Sequence, residues 1–485
     1  MTKFLYGASV QGIQSFILQT TKLKEIAGAS ELVESICTSS FAEQIGKKAD
    51  ELVLDRNAVL NAAGNIKYIF TDEDSCRKVF LEFPKKVLEA APGITISQAV
   101  VKFDGDGFAE AVNELERKLR AQRNLPAPSV TCGLMGIQRS RATGLPASAV
   151  DKADGYLDRA SAYKREAAKN HRLFDKAVDT ELGKLFKQPY DIEKMTGHND
   201  WIAIIHADGN GLGKVVRQIG KLPDKFKRFS ASLDKATAAA ARKATAAVIK
   251  PGMSQTFPMR PVVIGGDDLT VIIRADLAAD FTKEYLKEFE IQTKSLLGGI
   301  DESLADGLTA CAGIAYIKSS FPYYYGYSLA EELCSAAKKG SNRAHSCLMF
   351  HKVQDSFILS YEDIEKRELT VNEELSFRFG PYYLESDVPV GKWSIDKLQT
   401  TVAKIDSEDG NVVKSGIRQW LSLILKRGDT ECGRQKIDRM KSIASRAQQE
   451  LTDTLTNGIY CGKPATAIPA YDVLSLHSVT YQKTK

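Results

Sequence analysis

Three aspartates carry the chemistry that this sequence offers. Two are adjacent in VVIGGDDLTVII (Val262–Ile273), where Asp267 and Asp268 follow Gly265 and Gly266 at the crest of two apolar runs. The runs read as the strands of a hairpin, which would fix the two carboxylates side by side in a tight turn. The third, Asp208, follows the apolar run Trp201–Ala207 and opens the glycine-rich phrase DGNGLGK. If these strands are neighbours, all three carboxylates meet at one end of a sheet. Hard oxygen ligands gathered in this way suit Mg²⁺ or Mn²⁺, which prefer carboxylates, water and substrate phosphates. Two such ions about 4 Å apart clamp the attacking and leaving oxygens of an in-line displacement. Without metal, the adjacent carboxylates would raise one another's pKa and strain the turn.

The glycines complete the pattern. Gly265 and Gly266 are expected to take positive φ and to leave room for a phosphate or base. Gly209, Gly211 and Gly213 read as a strand-to-helix turn whose free N–H groups receive a triphosphate at a helix N-terminus. Taken singly, Asp208 reads equally well as a helix N-cap and Asp267-Asp268 as an Asx-stabilised turn. The conjunction of D-G-N-G-L-G with G-G-D-D, both at strand ends, favours catalysis. Other positions are weaker: His206 shares a strand face with Asp208 but reads as a satisfied, semi-buried residue. Lys338 and Lys339 end the helical phrase LAEELCSAAKKGSN, where lysines usually complement the helix dipole. The aromatic rings of FPYYYGY (Phe321–Tyr327) read equally well as a surface that stacks a base and as a loop packed by its own side chains.

The elements that must hold these residues recur twice. A strand at Lys3–Ser9 leads through a glycine turn into an amphipathic stretch from Ile13 to about Ile45. The paired runs Val59–Phe70, a helix near Cys76–Ala90 and a strand at Ile94–Phe103 follow. Trp201–Ala207, the helical DGNGLGKVV and Ala231–Ile249, the GGDD hairpin, a helix at Leu277–Leu297 and a strand at Leu308–Lys318 repeat that order. Superposed, Ser9-Val10-Gln11-Gly12 falls on Asp208–Gly211, and Ala62–Asn65 falls on Gly265–Asp268. The spacings Ser9 to Gly64 and Asp208 to Asp267 differ by four residues. The reading is a duplication whose first copy has lost its carboxylates. Between the copies, Pro126–Val150 reads as a loop-like connector and Asp151 to about Lys187 as a charged helical stretch. After His351 the chain reads as mainly helical, with Ser394 an N-cap for Ile395–Ile405. Within Val412–Arg446 nine Lys/Arg face three Asp/Glu, which makes a basic helical surface.

Read with the family resemblance that these motifs carry, the expected fold class is α+β, with two ferredoxin-like palm modules and a C-terminal helical domain. The boundaries are 1–125, a connector and helical segment at 126–197, the second palm at 198–355, and 356–485. At 485 residues, two or three domains are the natural division. No apolar run reaches the length of a membrane span, no signal-peptide pattern opens the chain, and a cytoplasmic location with no membrane partner is expected. The eight cysteines (37, 76, 132, 311, 334, 347, 432 and 461) form no C-x-x-C pair, which argues against a structural zinc site or a disulfide framework.

The chain resembles the large palm polymerase/cyclase subunit of type III CRISPR effector complexes, which makes cyclic oligoadenylates. The likeness runs through most of the first 355 residues, in GIQSFILQTTKLKEIAGASELVE (Gly12–Glu34), HADGNGLGK (His206–Lys214), IGGDD (Ile264–Asp268) and SLAEELCSAAKKGSN (Ser328–Asn342). The resemblance implies that Asp208, Asp267 and Asp268 bind the metals with help from the Gly209 carbonyl, and that Lys338 contacts the triphosphate. It also implies that Ser30, Glu34 and Asn65 lie in the first palm's pocket for an acceptor ATP. Other effector subunits, guide and target RNA, and a downstream effector reached through the product are the partners it implies. Three departures are noted: the chain starts directly at the first palm strand, so an HD nuclease is not expected; the connector holding Cys132 lacks the paired cysteines of the family's zinc ribbon; and the chain is short, as for a compact or stand-alone relative.

The expected activity is metal-dependent joining of ATP into cyclic oligoadenylates. The alternatives are a cyclic dinucleotide synthase of another base choice and a non-catalytic scaffold that organises RNA or protein through its basic helices.

Overall fold

The structure is a computed structural model that describes residues 2–480 apart from 63, 106, 126–134, 197–199, 220–221, 356–359, 373–374, 428–429 and 459–466. Cys132, and with it the zinc-ribbon position, lies outside the described residues.

The first module is built on four strands: β1 (Thr2–Gln11), β2 (Ala58–Ala62), β3 (Asn65–Phe70) and β4 (Thr95–Asp104). They form an antiparallel sheet in the order β2-β3-β1-β4. A helical stretch beginning at Ile13 links β1 to β2, and the helix Glu73–Ala90 links β3 to β4, which is the β-α-β-β-α-β order of a ferredoxin-like unit. The second helix starts where Asp72 accepts a hydrogen bond from the Ser75 amide at 2.7 Å. Tyr6 faces the helical side, where Phe41 stacks on it, and Phe83 meets Phe41 edge-on.

A two-stranded ribbon, β5 (Ala147–Asp151) and β6 (Gly155–Asp158), precedes the helix Arg159–Ala167. This corrects the reading of Pro126–Val150 as loop and of 151–187 as wholly helical, because the charged start of that stretch is the turn and second strand of a hairpin. The following helix docks on Leu23–Ser35 so closely that a Cβ on Gly28 would lie 1.6 Å from the Lys164 carbonyl oxygen.

The second module repeats the first and extends it. Its strands are β7 (Trp201–Gly209), β8 (Met259–Gly265), β9 (Asp268–Arg274), β10 (Ala310–Lys318), β11 (Cys347–Lys352) and β12 (Tyr382–Tyr383). The order is β12-β11-β10-β7-β9-β8, and the last four strands, β10-β7-β9-β8, reproduce the first sheet's order. β11 adds in parallel beside β10, and the two-residue β12 adds outside it. The helices Pro223–Val248 and Ala278–Leu297 lie against each other and against the sheet. Pro223 opens the first of them, where its missing N–H costs nothing.

FPYYYGY is not a loop: Pro322 caps the helix Tyr323–Gly340, which buries Tyr323 and Tyr327 and leaves Tyr324 and Tyr325 exposed. Among the described residues the remaining chain is mainly helical, with a largely irregular stretch about β12 between Thr370 and Ser394, and Ser394 caps Ile395–Ile405 by accepting from the Lys397 amide at 3.0 Å. Among the described residues, no helix is long and apolar enough to cross a membrane.

The two modules match in detail. Ser9 of β1 pairs with Asn65 of β3, and the register Ala207–Leu269 places Asp208 of β7 opposite Asp268 of β9. Gly12 and Gly211, which close the corresponding turns, both have positive φ, 59° and 74°.

Candidate active site

β7 is buried along nearly its whole length because its apolar residues face helices on both sides of the sheet. Asp208 therefore emerges only where the strand ends. β8 and β9 close at the Gly265–Asp268 pair, leaving Gly266 and Asp267 as a two-residue loop. Gly266 has φ of 61° and Asp267 does not take positive φ, which is the pattern of a type II′ hairpin turn. Gly265 continues the strand without positive φ, contrary to the expectation for both glycines. Thr237, from the helix beneath, donates to the Gly266 carbonyl at 2.6 Å and fixes the loop. Gly209 is needed for close approach, since a Cβ there would stand 3.0 Å from the Asp267 Cβ and 2.5 Å from Leu212 Cδ1.

The carboxylates of Asp208, Asp267 and Asp268 each offer an oxygen within 4.8 Å of the others. The Lys338 ammonium, from the last turn of Tyr323–Gly340, is hydrogen-bonded to Asp208 Oδ2 and donates to the Gly209 carbonyl at 2.9 Å. One cation is thus held between two of the oxygens that sequence reasoning assigned to metal. Asn210 ties the turn down, its side chain donating to Thr309 Oγ1 at 2.9 Å and its amide to the Thr309 carbonyl at 2.8 Å.

Burial alone would raise the Asp208 carboxyl, but hydrogen bonds from Asp267 and Lys338 outweigh it and hold the group below its ordinary range. Asp267 goes the other way, pushed up first by burial and then by Asp208 and Asp268. Asp268 is raised to about 7 by burial and by Asp208. Three acidic oxygens and one carbonyl form a donor set that fits a divalent hard cation, and the Lys338 ammonium meets only part of their negative charge.

The sign of the resulting pH dependence follows. Two carboxyls with folded pKa above the unfolded value of 3.8 hold protons that the unfolded chain has released, so stability from this site falls as pH rises from about 4 to about 8. A bound cation removes that loss. The melting-temperature gain from Mn²⁺ is expected to be larger at pH 8 than at pH 6, measured by scanning calorimetry. A gain independent of pH would show that the cation binds elsewhere.

A cavity of about 330 Å³ opens beside the cluster and spans both modules. Asp268, His206, Thr270 and Tyr327 line it from the second module; Ser30, Glu34 and Asn65 line it from the first. Asn65 Oδ1 accepts from Ser9 Oγ at 2.8 Å, Ser30 Oγ donates to the Ile26 carbonyl at 3.0 Å, and Glu34 is ion-paired with Lys176 at 2.8 Å. Gly211 and Gly213 lie past the end of β7 in open space. His206 is buried against Thr270 Oγ1 at 3.1 Å, and burial lowers its pKa to about 4, so it is a neutral wall residue.

Two lining residues were not anticipated. Arg123 donates to Ser9 Oγ at 2.9 Å, and Gln14 donates to the Tyr327 hydroxyl at 2.7 Å across the module boundary. Gln14 stands within the GIQSF phrase, which signalled importance without a role. Arg123 ends the helix Phe108–Arg123, and nothing in its local sequence distinguishes it from a lysine or arginine that complements a helix dipole.

Residues 201–347 match the family model described as Cas10/Cmr2, second palm domain. No curated protein sequence matches the chain. Among solved structures, a Csm1–Csm4 cassette in complex with pppApApA is similar at 15% identity, with 99% of this chain and 69% of that chain covered and a TM-score of 0.57. Csm1 from T. onnurineus aligns at 16% identity over 99% and 70% of the two chains, with a TM-score of 0.55. A Csm1–Csm4 cassette in complex with cA3 aligns at 16% identity over the same shares, with a TM-score of 0.53. These likenesses establish a shared fold.

Proposed function

From a chain that carries a Cas10/Cmr2 second palm domain and takes a Csm1-like fold throughout, we propose a nucleotidyltransferase that joins ATP into cyclic oligoadenylates. The observation that carries this reading is the convergence of Asp208, Asp267 and Asp268 beside a cavity that Asp268 lines and that continues into the first module. The complexes of similar proteins with pppApApA and cA3 support the choice of an adenine nucleotide.

Asp208, Asp267 and Asp268 would hold Mg²⁺ or Mn²⁺, with the Gly209 carbonyl as a further oxygen donor. Divalent cations bound there supply charge neutralisation at the reacting phosphate and activation of the attacking hydroxyl. The chain's own groups do the positioning. Lys338, which bridges Asp208 and the Gly209 carbonyl, would be the chain's own cation for a triphosphate beside the GGDD turn. Gly265 and Gly266 present no side chain to obstruct it, and the turn through Gly211 and Gly213 leaves open space for the phosphates. Ser30, Glu34 and Asn65 hold the second nucleotide, with Arg123 and Gln14 as additional polar contacts in the same cavity. Positioning and charge account for the rate, with no strong protein base required. The neutral, buried His206 fits that requirement.

Partners resembling Csm4, and RNA that controls the activity, belong to the same proposal. The test is mass spectrometry of the product formed from an equimolar NTP mixture with Mn²⁺. Rings of adenylate are expected. Rings of another base would overturn the substrate choice, and recovery of unreacted nucleotides would overturn the activity.

A further inference from the structure

A second pocket, of about 440 Å³, lies between the end of β11 and two C-terminal helices, Glu408–Arg427 and Ala470–Thr480. Every charged residue in its lining is a cation: Lys352 on β11, and Arg418 and Lys426 on the longer helix. Among the described residues, none of these three has a carboxylate partner. Lys352 instead donates to the Ser478 hydroxyl at 2.7 Å. Lys318, on the neighbouring β10, is ion-paired with Asp200 at 3.9 Å, and it and Lys352 stand over the ring of Trp201, at 4.5 and 4.6 Å from its centroid.

Like charges gathered in a partly enclosed space repel one another unless an anion joins them. Burial, followed by Lys318 and Arg418, holds the Lys352 ammonium below its ordinary range, as expected of an unpaired cation. The pocket also offers the serine hydroxyls of Ser422 and Ser475. Several cations with neutral hydroxyl donors suit a phosphate, whose oxygens accept from many directions at once.

The pocket is remote from the carboxylates. Cys347 of β11 pairs with Cys311, itself opposite Asp208, whereas Lys352 pairs with Tyr316. Five residues of strand separate the two positions by about 16 Å.

We propose that this pocket is a phosphate-binding site, which takes a phosphate of a nucleotide or of an RNA backbone at the end of the sheet away from the aspartates.

The site is tested on the full chain in EDTA, so that metal-dependent nucleotide binding at the aspartates does not contribute. Inorganic tripolyphosphate is followed by thermal shift and a labelled oligouridylate by fluorescence anisotropy. The variants are Lys352→Gln with Arg418→Gln, the exposed Arg418→Gln alone, and Lys85→Gln as a distant exposed control. Binding of at least one probe is expected, weakened about tenfold or more by the double variant, in part by Arg418→Gln and not by Lys85→Gln. Oligouridylate binding whose salt slope falls by about 1.4 in the double variant identifies a backbone phosphate. Tripolyphosphate binding without oligouridylate binding identifies a nucleotide phosphate. If neither probe binds, or the double variant binds as the parent does, the proposal is overturned. Because these readouts need no turnover, their failure is separate from failure of the catalytic reading.

Discussion

Asp267→Asn combined with Asp268→Asn is expected to fold as the parent does and to release pyrophosphate from ATP and Mn²⁺ at least about 10³-fold more slowly. Folding should survive because these carboxyls are a liability to the empty site. Both are pushed up by burial and by their acidic neighbours, so neutral amides of the same shape relieve repulsion. The melting temperature without metal at pH 8 should therefore match or exceed that of the parent. Activity should not survive, because two of the three acidic oxygen donors are gone. Pyrophosphate release at the parental rate, in a variant that melts normally, would remove the catalytic assignment.

Gly313→Ala is expected to cost about 3 kcal/mol or more of stability and to abolish turnover. Gly313 sits in the middle of β10, between His206 of β7 and Met349 of β11. A Cβ there would fall 2.0 Å from the Ala330 carbonyl oxygen and 2.5 Å from the Cys334 amide nitrogen. Both are backbone atoms of the helix Tyr323–Gly340, so no rotamer change relieves the clash and the whole helix must lift. The same helix brings Lys338 onto Asp208 and the Gly209 carbonyl. A urea titration should show a lower midpoint, and Gly299→Ala, whose Cβ meets nothing within 4 Å, should leave it unchanged. Equal midpoints for Gly313→Ala and the parent would mean that the helix stands farther from the sheet than described.

Much of this arrangement is legible in the sequence because strands that form the centre of a sheet must be apolar. The runs around Asp208 and Asp267-Asp268 left no place for those residues except strand ends, and the structure puts them there. The duplicated order of strands was visible for the same reason, and the shared positive φ of Gly12 and Gly211 supports it. The β5–β6 ribbon was not legible, since β5 alternates between half-buried and exposed positions and β6 buries only Leu157 and Asp158, so neither presents a continuous apolar face. The aromatic run at Tyr323 reads as a loop because proline and glycine surround it, yet Pro322 begins a helix. The inward turn of Lys338 depends on how its helix sits over the sheet, which is a tertiary fact that no local pattern encodes. So does the meeting of Gln14 with Tyr327, which lie 313 positions apart.

The pairing of Ser9 with Asn65, where the second module sets Asp208 against Asp268, gives the molecule a handedness of labour. Under the proposed chemistry only one half can forge a linkage and the other can only hold. Each new unit must therefore vacate the working half before the next arrives, so the growing strand has to ratchet in one direction between unequal berths. Ring size then becomes a question of how many units fit before the trailing end meets the leading one.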